Sequence, residues 1–246
     1  MSEPRQEVEA KLVAPGQAAA KHARVVLAAG RIAGVDLGPG RVHRYRDRYF
    51  DTADSRLARA GVALRWRSEG RRLTLALKGR AVAVPGGSSR LEIEGEWAPA
   101  TLAAIEPYLP AGRVEFDADP GAALIRAGFQ VLQDREARRR SWPAAWRGRR
   151  CAEIALDEVD FQTAAGLVRL VEVEVELVPG AGEELLLDLV RAVRAAAPEL
   201  LPWRHSKLAT GLAVAALAES GALRAGVLSS GDLDRIDAWI GGRGLE

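Results

Sequence analysis

The sequence predicts an α+β fold, an eight-stranded antiparallel β-barrel with flanking helices. Three observations carry that expectation. Up to Val178, segment after segment alternates polar and apolar residues at a period of two, the side-chain period of a strand. The segments follow one another mostly at hairpin spacing, which favours an antiparallel sheet, and closing that sheet into a barrel removes its exposed edges. Several carry charge on one face: Glu7/Glu9/Lys11, Arg65/Arg67, Arg90/Glu92/Glu94 and Glu172/Glu174/Glu176. A single strand of this kind reads as half-buried with its polar face in water. Recurrence, with both signs of charge present, points instead to a closed sheet with a charged interior.

In Glu7–Leu12 the residues Val8, Ala10 and Leu12 share one face and the three charged residues share the other. Pro15-Gly16 ends this strand. Gln17–Ala29 reads as a helix with Gly30 as its stop, and Gly34–Gly40 as a loop. Arg41–Asp51 is strand-like, with Tyr45, Tyr49 and Phe50 as β-favouring aromatics. Thr52-Ala53-Asp54 caps a short helix through Ala60, closed by Gly61. Val62–Arg67 and Leu73–Lys78 form a hairpin about Glu69-Gly70-Arg71, and Ser89–Trp97 follows the Pro85-Gly86-Gly87 loop. Thr101–Leu109 and Gly121–Ala127 are short helices. Gln130–Trp142 and Arg150–Asp157 pair around a Pro143–Gly148 turn, Phe161–Gly166 is the next turn, and Val168–Val178 is the last long strand. Glu183–Ala196, Ser206–Glu219 and Asp232–Ile240 are helices. This divides the chain into a barrel domain, residues 1–218, and a helical tail, residues 219–246, expected to be loosely attached.

Composition narrows the classes. With 246 residues, 48% hydrophobic and 28% charged, a globular chain with one large domain is expected. A formal net charge of +2 gives no global field for nucleic acid, although Arg135–Arg150 holds seven arginines. Cys151 is the only cysteine, and His22, His43 and His205 show no ligand spacing, so no disulfide framework or cysteine-based zinc site is expected. The N-terminus lacks the apolar core of a signal peptide. The most apolar helix, around Leu208–Leu217, is short of the ~20 residues of a membrane span. A cytoplasmic protein without membrane partners is expected, its oligomeric state, a homodimer included, left open.

Burying isolated charge is costly, so a charged interior must be wet or filled by a charged ligand. The cationic set Lys11, Arg65, Arg67, Lys78, Arg90 and part of Arg135–Arg140 suits several phosphates in a row. The acidic set Glu7, Glu9, Glu92, Glu94, Glu172 and Glu174 makes sense beside a polyanion if divalent metal lies between them. Oxygen-only ligands favour Mg²⁺ or Mn²⁺. The pattern therefore points to metal-dependent chemistry on a linear polyphosphate ester or anhydride, inside an enclosed and strongly basic cavity.

Glu7-Val8-Glu9-Ala10-Lys11 resembles the ExExK signature of the CYTH superfamily, the triphosphate tunnel metalloenzymes. Further matches follow in order: Tyr49-Phe50-Asp51-Thr52, Gly61–Arg67, Leu77-Lys78, Arg90–Glu94, Glu153–Asp157, Glu172-Val173-Glu174 and His205-Ser206-Lys207. The resemblance implies a tunnel that grips a triphosphate end to end. It implies metal held by Glu7, Glu9, Glu172 and Glu174, assisted by Glu92 or Glu94, and phosphates contacted by Lys11, Arg65, Arg67, Lys78, Arg90 and Lys207. In the basic run Arg138 and Arg140 share one face and Arg139 the other; Arg138 and Arg140 are expected to point inward. Asp51 and Thr52 are expected to organise a turn, Glu176 to be a solvated rim residue, and Asp157 to be either metal-facing or a turn residue.

The implied activity is metal-dependent hydrolysis of a triphosphate, inorganic tripolyphosphate first among the substrates, with Lys11, Glu7 and Glu9 as catalytic residues. ATP and thiamine triphosphate are the other small-molecule candidates. A thiamine triphosphatase or a class IV adenylyl cyclase would share the same grip. A non-catalytic polyphosphate- or nucleotide-binding module is the alternative of another class, and RNA binding through the arginine run a third.

Overall fold

The structure, a computed structural model, describes residues 4–110 and 112–244. The first half contains β1 (Arg5–Val13), α1 (Gly16–Leu27), β2 (Arg31–Ile32), β3 (Val35–Leu37), β4 (Arg41–Thr52), α2 (Arg56–Ala60), β5 (Ala63–Glu69), β6 (Arg72–Lys78), β7 (Val82–Val84) and β8 (Gly87–Glu96). Then come α3 (Pro99–Ile105), a 3₁₀ turn, α4 (Pro120–Arg126), β9 (Phe129–Trp146), β10 (Arg149–Thr163) and β11 (Gly166–Leu177). The chain ends with α5 (Glu184–Ala196), β12 (Leu201–Pro202), α6 (Lys207–Glu219), β13 (Gly226–Val227) and α7 (Ser230–Gly241). Eight strands hydrogen-bond in the order β10–β11–β1–β8–β6–β5–β4–β9, and β9 returns to β10 to close the ring. Every pairing in the ring is antiparallel.

The alternating pattern works as a two-sided partition. On the outer face Val8, Ala10 and Leu12 of β1 join Ile154, Leu156, Val173 and Val175 beneath α1 and α5. A second outer core sets Leu64, Leu75, Leu77 and Ile93 against α2, α3 and α4. Each fully buried aliphatic side chain contributes about 1.5–3 kcal/mol, so these two layers hold the ring shut from outside. Asp51 organises the turn into α2, accepting from the backbone N–H groups of Leu57 (2.8 Å) and Ala58 (3.0 Å).

On the inner face the charged rows become apolar at one level of the barrel. Glu7, Glu9 and Lys11 give way to Val13, Asp157 to Val159, and Glu174 and Glu172 to Leu170. These apolar residues form one core with Ala209, Ala213 and Val214 of α6 and Leu233, Ile236 and Ile240 of α7. The two C-terminal helices therefore plug one end of the barrel. The segment after Glu219 is packed rather than loose, because Leu223, Leu228 and the apolar face of α7 all lie in that core and β13 pairs with β11.

Two local expectations change. Pro143 does not turn the chain: β9 runs through it to Trp146, and its carbonyl accepts a hydrogen bond from Gly38 N (2.8 Å). The reversal is the two-residue loop Arg147-Gly148, both at positive φ (51° and 77°), the geometry that matches strand twist in a tight hairpin. The expected loop at Gly34–Gly40 contains β3, which pairs with β2 and with the end of β9. Among the described residues no helix is long and apolar enough to cross a membrane.

The plug sits close to the wall at Gly211, where a Cβ would lie 1.7 Å from Gln133 Nε2 and 2.7 Å from Phe161 Cε1. Gly211→Val should lower stability by about 1–3 kcal/mol through overpacking, read as a fall in Tm. An unchanged Tm would show that α6 is not seated in the barrel end.

Candidate active site: a charged tunnel

The barrel encloses a cavity of about 1120 Å³ lined by Glu7, Glu9, Lys11, Arg65, Arg67, Lys78, Arg90, Glu92, Glu94, Arg139, Glu174 and Lys207. Strand register explains the assembly. Glu7 of β1 stands opposite Arg90 of β8, Lys11 opposite Glu174 of β11, and Lys78 of β6 opposite Glu92 of β8. Opposite charges thus become neighbours on one face. Lys78 donates to both oxygens of Glu7 (2.8 and 3.0 Å) and lies 2.6 Å from Glu92. Arg90 bridges Glu7 (2.5 Å) and Glu9 (2.7 Å), while Lys11 lies 2.9 Å from Glu9. Arg65 donates to the half-exposed Glu94 at 2.5 Å.

Of the three consecutive arginines of the basic run, Arg139 faces inward, and Arg138 and Arg140 do not. Arg139 donates to both oxygens of Asp157 (2.7 and 2.6 Å) and to Glu174. Arg138 is half-exposed on the outer wall near Glu158 (3.4 Å). Arg140 shares the face of Trp142, which packs in the outer core. Between Tyr49 and Phe50 of β4 the β9 register slips from Gln133 to Val131, leaving Leu132 as an extra residue. This bulge inverts which parity faces inward: Phe129 packs outside, whereas Gln133, Arg135, Ala137 and Arg139 face in. The outward packing of Trp142 was the available signal, since it forces Arg140 to the same side.

Asp157, Glu172 and Glu174 bring one carboxylate oxygen each within 4.8 Å of one another, all buried. Asp157 and Glu172 are opposite each other on β10 and β11. Lys207, the first residue of α6, places its ammonium among them, 2.9 Å from Asp157 and 2.7 Å from Glu172, and hydrogen-bonds Glu174. Among the described residues Glu172 accepts no hydrogen bond of good geometry; what it meets is the Lys207 ammonium and the neighbouring Glu174 carboxylate. Burial pushes the Glu172 carboxyl up to about 7, despite Lys207. Glu174 goes the other way: burial would raise it, but Lys207 and Arg139 hold it well below the carboxylate range. A buried, all-oxygen triad with an orphaned carboxylate, filled by a cation of the protein's own, fits the demands of Mg²⁺ or Mn²⁺. Glu7, Glu9 and Glu92 lie outside this triad, committed to Lys78 and Arg90.

Other inward residues were not anticipated. Asp47, fully buried, accepts from Arg67 (2.7 and 3.0 Å) and Arg135 (3.3 Å). Arg135 also donates to Tyr49 (2.8 Å) and to the Lys207 carbonyl (2.8 Å). Arg5 donates to Glu92 at 2.5 Å. Glu176 is not a fully solvated rim residue: it lines the cavity, and burial, then the nearby Glu7 charge, pushes it up to about 7. The cavity is also not strongly basic. Eleven lysines and arginines and nine carboxylates line it, and Asp47, Asp157 and Glu172 stand in the wall beside them.

Burial alone would raise Asp47, but Arg67 and Arg65 hold it well below its ordinary value of 3.8. A depressed folded pKa adds stability that is present above the unfolded value and lost as pH falls below it. Asp47→Asn should cost about 3–5 kcal/mol at pH 7 by leaving two buried guanidiniums short of a partner. That gap should narrow as pH drops below about 4, the unfolded carboxylate value. Denaturant titrations at pH 7 and pH 3 check this; a constant gap contradicts it.

The CYTH domain family profile matches residues 5–212. No curated protein matches the chain. Among solved structures, the putative adenylyl cyclase HpAC1 from Hippeastrum, described as having a dominant triphosphatase activity, is 20% identical. It covers 88% of this chain and 97% of its own at a TM-score of 0.57. A putative adenylate cyclase from Bacillus halodurans is 19% identical, covering 85% and 97% at 0.52. The PH1819 protein from Pyrococcus horikoshii OT3 is 20% identical, covering 87% and 99% at 0.52. At these identities the structures attest a shared fold, and the profile match, which takes in β1 through the first turns of α6, establishes that the chain belongs to the CYTH family.

Proposed function

We propose that this protein hydrolyses a triphosphate bound along the tunnel, with inorganic tripolyphosphate as the first substrate. The observation that carries the reading is the all-oxygen triad Asp157, Glu172 and Glu174, whose Glu174 lines the same cavity as a row of cationic side chains. The triad would hold Mg²⁺ or Mn²⁺, with Glu7, Glu9, Glu92 and Glu94 as further carboxylates along the tunnel. A bound ion supplies Lewis acidity toward a phosphoryl oxygen and a more acidic water.

The chain's own residues supply the grip. Lys11, Arg65, Arg67, Lys78, Arg90, Arg139 and Lys207 exchange carboxylate partners for phosphate oxygens, arginine in bidentate fashion and lysine as a point charge. Their aliphatic stems are already fixed by the barrel, so charge developing on transferred and leaving phosphates meets oriented donors. Arg139 takes the place expected for Arg138 and Arg140, and Lys207 keeps its expected one; these two are the cations at the triad. A second reading, an organic triphosphate such as thiamine triphosphate or ATP, draws on the apolar residues Val62, Leu132, Leu201 and Leu208 in the cavity wall. Inorganic tripolyphosphate makes no use of those.

Purified protein offered tripolyphosphate, ATP, thiamine triphosphate and a triphosphate-ended RNA with Mg²⁺ or Mn²⁺ should release phosphate fastest from tripolyphosphate. Cyclic AMP from ATP would favour the cyclase, and no turnover of any substrate would overturn the hydrolase. Arg139→Ala should lower kcat/KM by roughly 10²-fold, whereas Arg140→Ala on the outer wall should leave it within about twofold. Equal losses in both variants would contradict the inward register of Arg139.

A further inference from the structure

We infer that α7, which lies beyond the matched CYTH residues, belongs to the site, and that its Asp237 is a positioning residue for Lys207. This inference rests on the tunnel being the phosphate-binding site. Lys207 opens α6, and the turn before it is fastened at separate points. Trp203 N donates to the Lys11 carbonyl of β1 at 2.9 Å, and Trp203 Nε1 donates to Thr210 Oγ1 at 3.1 Å. Arg135 of β9 holds the Lys207 carbonyl at 2.8 Å, and Ser206 caps α6 by accepting from Ala209 N at 3.0 Å. These bonds secure the turn against the barrel.

The turn is also tied to α7. The His205 ring is fully buried, edge-on to Trp203 at 4.9 Å. Its Nε2 lies 2.7 Å from Asp237 Oδ1, and Arg204 donates to the same oxygen at 3.2 Å. Asp237 itself is half-exposed, 49% accessible, and lines the cavity with Asp234. The packing of α7 is carried by other residues, Leu233, Ile236 and Ile240, each buried. The carboxylate is therefore dispensable for burying α7 but well placed to hold the His205-Ser206-Lys207 turn. The lysine ammonium must meet three carboxylates, or a phosphate in their place, and misplacements near 1 Å are expensive in such sites.

The test combines a structural readout with a functional one. In hydrogen exchange on the whole protein, Asp237→Asn should speed exchange of the 203–212 segment about tenfold while the barrel strands keep wild-type protection. With tripolyphosphate and Mn²⁺ it should raise KM about tenfold with kcat within about twofold, and Asp237→Glu should restore much of the loss. In a Lys207→Ala background the same substitution should add less than about twofold, because the two residues act as one unit. Unchanged exchange in 203–212, or an Asp237→Asn effect that persists in full without Lys207, would overturn the inference. If wild-type protein neither binds nor turns over any triphosphate, the hydrolase reading fails, and the exchange result still decides whether Asp237 holds the turn.

Discussion

Charge buried inside a closed sheet must be paired, and that constraint shapes the whole molecule. The ring of eight strands is closed, and its buried inward carboxylates Glu7, Glu9, Asp47, Asp157 and Glu172 each lie beside a cation. Antiparallel register meets this demand by placing opposite charges face to face, as with Glu7 and Arg90 or Lys11 and Glu174. Such pairs add little net stability compared with an apolar core, while breaking one is costly. The stability comes from elsewhere: from aliphatic residues on the outer faces of the same strands, packed beneath α1 and α5 on one side and α2 to α4 on the other. The interior is left free to serve chemistry.

The pairing also defines how the tunnel can bind. Cations and carboxylates nearly balance along its wall, so the tunnel offers a polyanion no large excess of positive potential. On the proposed function, a triphosphate would displace carboxylates from Lys78, Arg90, Arg139 and Lys207, and those carboxylates would then require cations of their own. The triad at Asp157, Glu172 and Glu174 is where that requirement is sharpest, since three buried carboxylates share the one Lys207 ammonium. On the proposed function, metal and phosphate would enter together, the metal answering the freed carboxylates and the cationic side chains the phosphates. The apolar end formed by α6 and α7 closes the tunnel beyond this point and fixes Lys207 at its floor.

Much of this was legible in the sequence because a period of two is local. Glu7-Val8-Glu9-Ala10-Lys11 specifies its strand and both of its faces, and the outward residues Val8, Ala10 and Leu12 lie in the core the alternation demands. What escaped were features set by neighbours. The bulge at Leu132 exists only in the pairing of β9 with β4, and it moved the inward arginine from Arg138 and Arg140 to Arg139. Pro143 marked the start of the Pro143–Gly148 turn, whereas the strand runs through it and its carbonyl accepts from Gly38 N. Asp47 was one charge among several in Arg41–Asp51, and only its opposition to Arg67 across β5 reveals its place. The three buried residues of α7 marked a helix in sequence, but not that it would plug a barrel.

The central claim is that a charge-balanced tunnel takes up metal and triphosphate together. The direct measurement is calorimetric titration of tripolyphosphate into the full chain with chelator and again with saturating Mg²⁺ or Mn²⁺. Coupling between two ligands of this kind spans roughly 5–150-fold in affinity, and the account predicts a gain of at least tenfold with metal, abolished by Glu172→Gln combined with Glu174→Gln. Equally tight binding with chelator present would contradict it, and would mean that the carboxylates of the tunnel wall are counter-ions alone.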